Sequence, residues 1–135
     1  MVWATGAAAP PWLAKTGLAL DERGFLLVDE TLRSISHPGV FGAGDVATMR
    51  DHPRPKSGVY AVRQGPPLAE NLRLALTDQS LKRYRPQRRS LSLIGTGGRH
   101  AVASWGAFSV QGWWVWRWKD SIDRKFMARY VLPVR

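Results

Sequence analysis

Residues 40–46, VFGAGDV, constrain the fold more than any other part of the sequence. Two apolar residues lead into two glycines and an aspartate, which predicts a short buried strand that turns into a helix beginning near Asp45. Glycines let the backbone approach a ligand closely, a helix N-terminus presents free N–H groups, and a carboxylate there accepts a hydrogen bond from a sugar-alcohol hydroxyl. This arrangement suits a nucleotide cofactor. A plain strand-to-helix turn with Asp45 as the N-cap explains the same residues equally well.

The other patterns in the first half of the chain predict short strands followed by a helix. We expect, in order, a strand at 25–28, a strand at 31–33, a strand at 40–42 and a polar loop at 50–56. Ser57 is the expected N-cap of a helix that continues through residues 68–76, and residues 65–67, Gly-Pro-Pro, predict a kink or a break within it. The apolar positions of its second part are Leu68, Leu72 and Leu76.

The second half of the chain opens with a basic connector, residues 82–89. Three short strands are expected after it, at 91–94, 101–105 and 106–110, and the sheet ends at residues 111–112. The glycine-rich residues 95–98 are open to two interpretations, a phosphate-binding turn or a hairpin turn. The hairpin is favoured because a strand rather than a helix follows.

Charge divides the sequence into two regions. Positive and negative residues balance in residues 1–81, so the whole net charge of +10 comes from residues 82–135. We therefore predict a boundary near residue 81. The chain has no cysteine, which excludes disulfides, cysteine-ligated metals and a redox-active cysteine pair.

Three scattered histidines argue against a metal site, and we predict none. No apolar run approaches the ~20 residues of a membrane-spanning helix, and no signal peptide opens the sequence. The expected location is therefore the cytoplasm.

The C-terminal segment, residues 113–130, combines tryptophan with lysine and arginine on a predicted helix. An apolar stripe recurs every four residues, at Trp118, Ile122, Phe126 and Tyr130. Three interpretations follow: packing in a core or interface, contact with a membrane surface, or nucleic-acid binding. We expect no nucleic acid, because no recognition motif is present and Asp120 and Asp123 interrupt the positive face.

Four segments occur in an order and spacing that resemble a known family: residues 4–6 (ATG), 24–28 (GFLLV), 31–34 (TLRS) and 37–47 (HPGVFGAGDVA). The chain resembles the C-terminal part of pyridine nucleotide-disulfide oxidoreductases. Within that family it is most similar to the NADH-dehydrogenase-like FAD proteins, including those found alone or fused to selenide, water dikinase.

The resemblance implies a fold class of α/β, as a mixed α+β fragment of an FAD/NAD(P)-binding fold with two dinucleotide domains. It implies that residues 1–81 are the C-terminal remnant of the FAD-binding domain, with the end of the NAD(P)-binding domain at residues 1–10. Residues 82–135 are then a small, basic, tryptophan-rich α+β C-terminal domain.

The resemblance also implies a cofactor and a site. FAD is the implied cofactor and NAD(P)H the implied substrate, with hydride passing from nicotinamide to flavin and then to an unknown acceptor. Asp45, which follows Gly44, is implied to hold a ribitol hydroxyl of FAD, and the backbone of Val46 and Ala47 to lie near the flavin ring. No catalytic residue can be named.

The sequence departs from this family in two respects. No G-x-G-x-x-G turn follows a strand, so we expect a C-terminal fragment that by itself is inactive and holds no flavin. Gly58–Val59 and Arg63 stand where quinone-reducing relatives carry glutamines, which puts quinone reduction in doubt. Arg63 is either a solvated helix charge or a residue on the flavin or acceptor side.

A non-catalytic alternative remains. The basic, aromatic C-terminus can act as a docking module for a membrane surface, a second subunit or a fused kinase partner. In that case we expect peripheral contact through residues 113–130 at the inner face of the membrane. Apolar faces that lack their cover also predict that the fragment is a homo-oligomer.

Overall fold

The computed structural model describes residues 6–131. The chain forms two compact units, Met1–Arg88 and Arg89–Arg135. The first unit contains a 3₁₀ helix at Pro11–Lys15, β1 at Leu26–Val28, a 3₁₀ turn at Gly44–Val46, β2 at Ala47–Met49 and α1 at Gly58–Leu76. The second contains β3 at Ser92–Gly97, β4 at His100–Trp105, β5 at Phe108–Gly112 and α2 at Trp113–Ala128. This mixed α and β content confirms the predicted fold class.

The core of the first unit is built on a parallel pair of strands, β1 and β2. Leu26 lies opposite Ala47, and Val28 lies opposite Met49. All four side chains are buried and pack with Leu32 into one cluster. Burial of these apolar groups is the main favourable term that brings β2 alongside β1, which precedes it by many residues.

The strands predicted at residues 31–33 and 40–42 are wrong. These residues make isolated bridges, one of which pairs Arg33 with Phe41. The carboxylate of Asp29 accepts hydrogen bonds from the Thr31 N–H at 2.7 Å and from the Thr31 hydroxyl at 2.6 Å. Such side-chain hydrogen bonds satisfy the backbone within a turn and compete with a strand ladder. The following Leu32 has a φ of 64° and is completely buried.

The helix predicted to begin near Asp45 is also wrong. Gly44–Val46 forms one 3₁₀ turn, and the chain continues directly into strand β2. The residue at the N-terminal cap of that turn is Ala43, and no side chain caps it. Two buried side chains at alternate positions of β2 explain the difference, because pairing with β1 buries both at once.

Helix α1 runs through the proline pair that was predicted to kink or break it. The loop at residues 50–56 is confirmed, and Ser57 takes the N-cap position with an extended backbone but no side-chain hydrogen bond. Pro66 and Pro67 lie inside the helix, so the predicted break is wrong. The helix has buried side chains on both sides of the prolines, and this packing outweighs the lost backbone hydrogen bonds.

The buried face of α1 is more polar than the sequence pattern suggested. Its buried residues are Tyr60, Gln64, Asn71 and Leu74. Of the predicted apolar positions, Leu68 packs against the core, whereas Leu72 and Leu76 are exposed.

Most of the basic connector belongs to the first unit. The amide nitrogen of Asn71 donates to the carbonyls of Thr31 and Lys82 at 2.8 Å, and its oxygen accepts the Lys82 N–H at 2.8 Å. The Tyr84 N–H donates to the Glu30 carbonyl at 2.7 Å. These bonds attach residues 82 and 84 to the first unit, whose limit lies after residue 88. The assignment of residues 1–81 to a flavin-binding remnant and of residues 82–135 to a C-terminal domain stays a prediction.

The second unit is an antiparallel sheet, ordered β3–β4–β5, covered by α2. The hairpin predicted at the glycine-rich residues is confirmed, since β3 and β4 pair around a turn at Gly98 and Arg99. Ala101, Ala103 and Val115 form its small buried core. The predicted C-terminal helix is confirmed as α2.

Asn71 is the residue whose loss is expected to weaken the first unit most directly. Its side chain is fully buried and bonds two separate segments to α1. Asn71→Ala leaves these backbone groups without their partner, so we expect the free energy of unfolding to fall by about 3 kcal/mol. Urea unfolding measures the change, with the exposed Gln79→Ala as the control. A loss below about 0.5 kcal/mol would contradict the anchoring role.

Candidate functional site

A narrow cleft in the first unit lies where the 3₁₀ turn, β2 and the start of α1 meet. Gly44, Asp45 and Ala47 line it, together with Lys56 and Gln64. Its volume of about 20 Å³ has room for about one water molecule. The cleft by itself therefore has no room for a larger ligand, and its residues form a wall against which such a ligand could lie.

Two glycines bring the backbone of this wall close to the core. A Cβ atom at Gly42 would lie 2.7 Å from Cδ2 of Leu26 and 3.2 Å from Cβ of Ala47, so a side chain there requires these neighbours to shift. Gly44 has a φ of 72°, a conformation that side-chain-bearing residues rarely adopt. Gly42 thus allows close packing on the core, and Gly44 allows the turn that presents Asp45.

Gln64 of α1 fixes the turn from the side. Its Oε1 accepts the Gly44 N–H at 2.5 Å, and the side chain is buried. The sequence analysis did not identify Gln64 as a site residue. A signal was present, because Gln64 follows Tyr60 by one helical turn and so shares its face.

Asp45 is the exposed carboxylate at the edge of the cleft. Among residues 6–131, no hydrogen bond or salt bridge to its side chain is formed. Val46 packs against the apolar core, and Ala47 is buried in β2. The four predicted site residues are therefore contiguous, with the Asp45 carboxylate facing solvent and Val46 anchoring the segment. This geometry fits a group that donates hydroxyl hydrogen bonds to Asp45.

Lys56 reaches back from the polar loop to the site segment. Its ammonium donates to the carbonyl of Ala47 and to the hydroxyl of Thr48 at 3.0 Å, and it lies 4.1 Å from the ring centroid of Phe25. Burial lowers the pKa of Lys56, although the nearby carboxylates of Asp21 and Asp45 act in the opposite direction. Lys56 thus ties β2 to the loop that follows it.

Asp21 extends this network below the cleft. Its carboxylate accepts the Thr48 hydroxyl at 2.7 Å and the N–H groups of Arg23 and Phe25 at 2.9 Å. Burial favours a raised pKa for Asp21, but these hydrogen bonds, with the charge of Lys56, outweigh it and lower the pKa. The carboxylate therefore stays ionised and orients the Thr48 hydroxyl.

The structure places Arg63 outside the cleft, exposed on α1. Gly58 and Val59, which stand where the resemblance implies an Ala-Gln pair in quinone-reducing enzymes, are exposed at the start of the same helix. Both interpretations of Arg63, a solvated charge or an acceptor-side residue, remain open.

In the second unit, the predicted apolar stripe on α2 is largely exposed. Trp118 is 43% exposed, Ile122 is 41% exposed and Tyr130 is 66% exposed, while Val115, which lies on the same side of the helix one turn earlier, is its buried residue. An apolar groove of about 370 Å³ lies beside Trp118 and is lined by Leu91, Ala103, Trp105, Phe108, Ser109 and Val110. The stripe is thus not the core of this unit.

Within residues 6–131, no helix is both long and apolar enough to cross a membrane. The same part of the chain contains no cluster of three or more histidine, aspartate or glutamate side chains positioned to bind a metal ion.

The lowered pKa of Lys56 predicts a pH dependence of stability. The folded state loses this proton at a lower pH than the unfolded state, so stability rises with pH between the lowered value and the ordinary lysine value of 10.5. In Lys56→Met this rise is absent. The measurement is the difference in the free energy of unfolding, wild type minus variant, across the alkaline range.

Tyr84, whose pKa is raised by burial, contributes to both proteins and cancels in that difference. We expect the difference to increase as the pH rises. A difference that stays flat or decreases would contradict the burial of the Lys56 ammonium.

Comparison with known families gives a match over the same part of the chain. Residues 1–65 match the family model described as pyridine nucleotide-disulphide oxidoreductase. The matched residues include the whole site segment and end within α1, so the second unit lies outside the match. Proteins of this family generally bind FAD and use NAD(P)H. Over these residues the chain is therefore similar to the pyridine nucleotide-disulphide oxidoreductases.

Proposed function

We propose that the first unit forms one wall of the FAD site in an NAD(P)H-dependent oxidoreductase. The observation that carries the proposal is the exposed Asp45 carboxylate, presented by a rigid turn inside the segment that matches the family. The finer affiliation that we propose is with the NADH-dehydrogenase-like FAD proteins related to selenide, water dikinase. The segments that carry this resemblance include residues 24–28, 31–34 and 37–47.

Asp45 binds by accepting hydrogen bonds. An ionised carboxylate has two oxygens that accept from a polyol chain, and bonds to a charged acceptor are stronger than those to a neutral one. Within the described residues this carboxylate has no hydrogen-bond partner. A ligand hydroxyl can therefore bind to it without breaking an internal hydrogen bond. We assign it the role of holding a ribitol hydroxyl of FAD.

The neighbouring residues keep the Asp45 backbone in place. Gln64 holds the Gly44 N–H, Lys56 holds the Ala47 carbonyl, and Val46 is anchored in the core. A segment fixed in this way loses little conformational freedom on binding, which favours affinity. FAD, when bound, would accept hydride from NAD(P)H and pass the electrons to a second acceptor.

The proposal leaves the acceptor open and assigns no catalytic residue. Val59 and Arg63 stand where quinone-reducing relatives carry two glutamines, and Gly58 stands where they carry an alanine, so we do not propose a quinone. The residues described around the cleft bind and position a cofactor, and none is assigned a proton-transfer step.

Asp45→Ala tests the proposal in the full-length gene product. Loss of charged hydrogen bonds worth about 1.5–3 kcal/mol is expected to weaken FAD binding by roughly ten- to a hundredfold. Equilibrium dialysis of the apoprotein against FAD, read by flavin absorbance, measures the dissociation constant. The matched control is Asp51→Ala, which removes a nearby exposed carboxylate that pairs with Arg50 at 3.3 Å.

Asp51→Ala is expected to change FAD affinity by less than about twofold. Wild-type affinity in Asp45→Ala would overturn the role of Asp45. A wild-type protein that binds no FAD would overturn the proposed function itself.

A second candidate function rests on the second unit. The exposed aromatic and aliphatic side chains of α2, with basic residues along the same helix, favour docking on an anionic membrane surface. Trp118 belongs to the stripe and also lines the apolar groove, so both surfaces can enter the interface region of a bilayer together. In this proposal the chain binds peripherally through residues 113–130, at the inner face of the membrane.

Vesicle sedimentation tests the docking proposal. The double variant Trp118→Ser/Ile122→Ser removes two exposed apolar groups from α2, and Trp12→Ser/Ile35→Ser removes the same pair from exposed positions of the first unit. We expect the α2 variant to bind vesicles of phosphatidylcholine and phosphatidylglycerol at least about tenfold more weakly. Equal effects of the two variants, or no binding by the wild type, would rule out docking through α2.

A further inference from the structure

Two arginines of the second unit are stacked on tryptophan rings around one cleft. The guanidinium carbon of Arg99 lies 5.9 Å from the ring centroid of Trp116, and that of Arg117 lies 5.1 Å from the centroid of Trp113. Arg99 comes from the β3–β4 turn, whereas the other residues belong to α2. A guanidinium group at this distance from an indole ring is attracted to it, so each ring holds its arginine beside the cleft.

The turn that carries Arg99 is held in an unusual conformation. Arg99 has a φ of 57°, a left-handed backbone that residues with side chains adopt infrequently. Across the turn, the Thr96 hydroxyl bonds to the Nδ1 of His100 at 2.8 Å. Such backbone conformations persist where surrounding contacts enforce them, and here they direct Arg99 towards α2.

The positive charge of this cleft is not compensated within the described residues. Among residues 6–131, neither Arg99 nor Arg117 forms a salt bridge or a side-chain hydrogen bond. The carboxylate that lines the cleft, Asp120, already accepts from Arg124 at 2.8 Å. Lys125 adds a further positive charge to the lining. The cleft therefore offers several cationic hydrogen-bond donors to a ligand with more than one negative charge. The carboxylate of Asp120 repels such a ligand less because it is already paired with Arg124.

The donor chemistry of the cleft indicates the ligand class. The cleft is an open surface depression of about 470 Å³, and the Ser121 hydroxyl also lines it. Guanidinium groups match phosphate oxygens with paired N–H donors, and a phosphate carries more charge and more acceptors than one carboxylate. The cleft is also separate from the Trp118 stripe, because it uses the helix positions 113, 117 and 124.

We propose that the cleft between the β3–β4 turn and α2 binds a phosphate- or pyrophosphate-bearing ligand through the stacked Arg99 and Arg117. The proposal is independent of the flavin site, since every residue of the cleft belongs to the second unit. The phosphate can belong to a soluble metabolite or to a lipid headgroup, and the chemistry of recognition is the same for both.

The variant that tests the proposal keeps the positive charges at positions 99 and 117 but removes the guanidinium groups. Arg99→Lys/Arg117→Lys has the same net charge as the wild type but lacks the stacked, forked guanidinium groups. We expect inorganic pyrophosphate to bind this variant at least about tenfold more weakly than the wild type. Isothermal titration of the complete chain measures the affinity, the indole N–H resonances of Trp113 and Trp116 report the location, and circular dichroism confirms that the variant is folded.

A charge control completes the test. Arg73→Ala/Arg88→Ala removes two exposed arginines of the first unit and is expected to bind pyrophosphate as the wild type does. Equal affinity of the wild type and the Lys/Lys variant would overturn the proposal, because it would show attraction by charge alone. Absence of pyrophosphate binding by the wild type would overturn it as well.

The source of the phosphate is resolved by vesicles of phosphatidylcholine with phosphatidic acid. Retention on these vesicles that is lost in the Lys/Lys variant, and that pyrophosphate competes away, supports a lipid headgroup. Pyrophosphate binding without such retention supports a soluble phosphate ligand. Binding of single-stranded oligonucleotides that is unchanged in the Lys/Lys variant, with pyrophosphate having no effect, would count against the site.

Discussion

The close approach of Gly42 to the β1–β2 pair is the constraint on which the rest of the first unit depends. With no side chain at this position, the backbone lies directly on Leu26 and Ala47. Its N–H donates to the Leu32 carbonyl at 3.0 Å, which links the same segment to the buried turn. After Gly42 the chain turns at Gly44, and the next residue, Asp45, is exposed. A larger residue at position 42 would require the Leu26 side chain to shift within the core.

Buried polar side chains then connect the loops of this small unit. Asn71 joins α1 to two backbone segments, Gln64 joins α1 to the turn at Gly44, and Lys56 joins the polar loop to β2. Each bond satisfies backbone groups that have no partner in a helix or strand ladder, which is necessary where so little regular structure is present. The Gln64 and Lys56 bonds surround the segment that we assign to FAD. Rigidity and the proposed function therefore have the same structural origin.

The sequence predicted local features better than distant pairings. The hairpin at residues 95–98 and the helix from Trp113 follow from short-range patterns, and both are confirmed. The parallel pairing of β1 with β2 was missed because it joins distant residues, and the Asp29 turn replaced a predicted strand. At the site, Asp45 was proposed from its motif. Helical spacing places Gln64 on the face of Tyr60, but its bond to Gly44, like the bond of Lys56 to Ala47, is a tertiary contact that no local pattern encodes.

We propose that the site segment, residues 44–47, binds FAD in a flavin-dependent NAD(P)H oxidoreductase. The most direct test is an absorbance spectrum of the full-length gene product, purified without added cofactor and then mixed anaerobically with NADH or NADPH. The account predicts a flavin spectrum that bleaches when one of the two nucleotides is added. A colourless protein that neither takes up FAD nor consumes NADH or NADPH would contradict it.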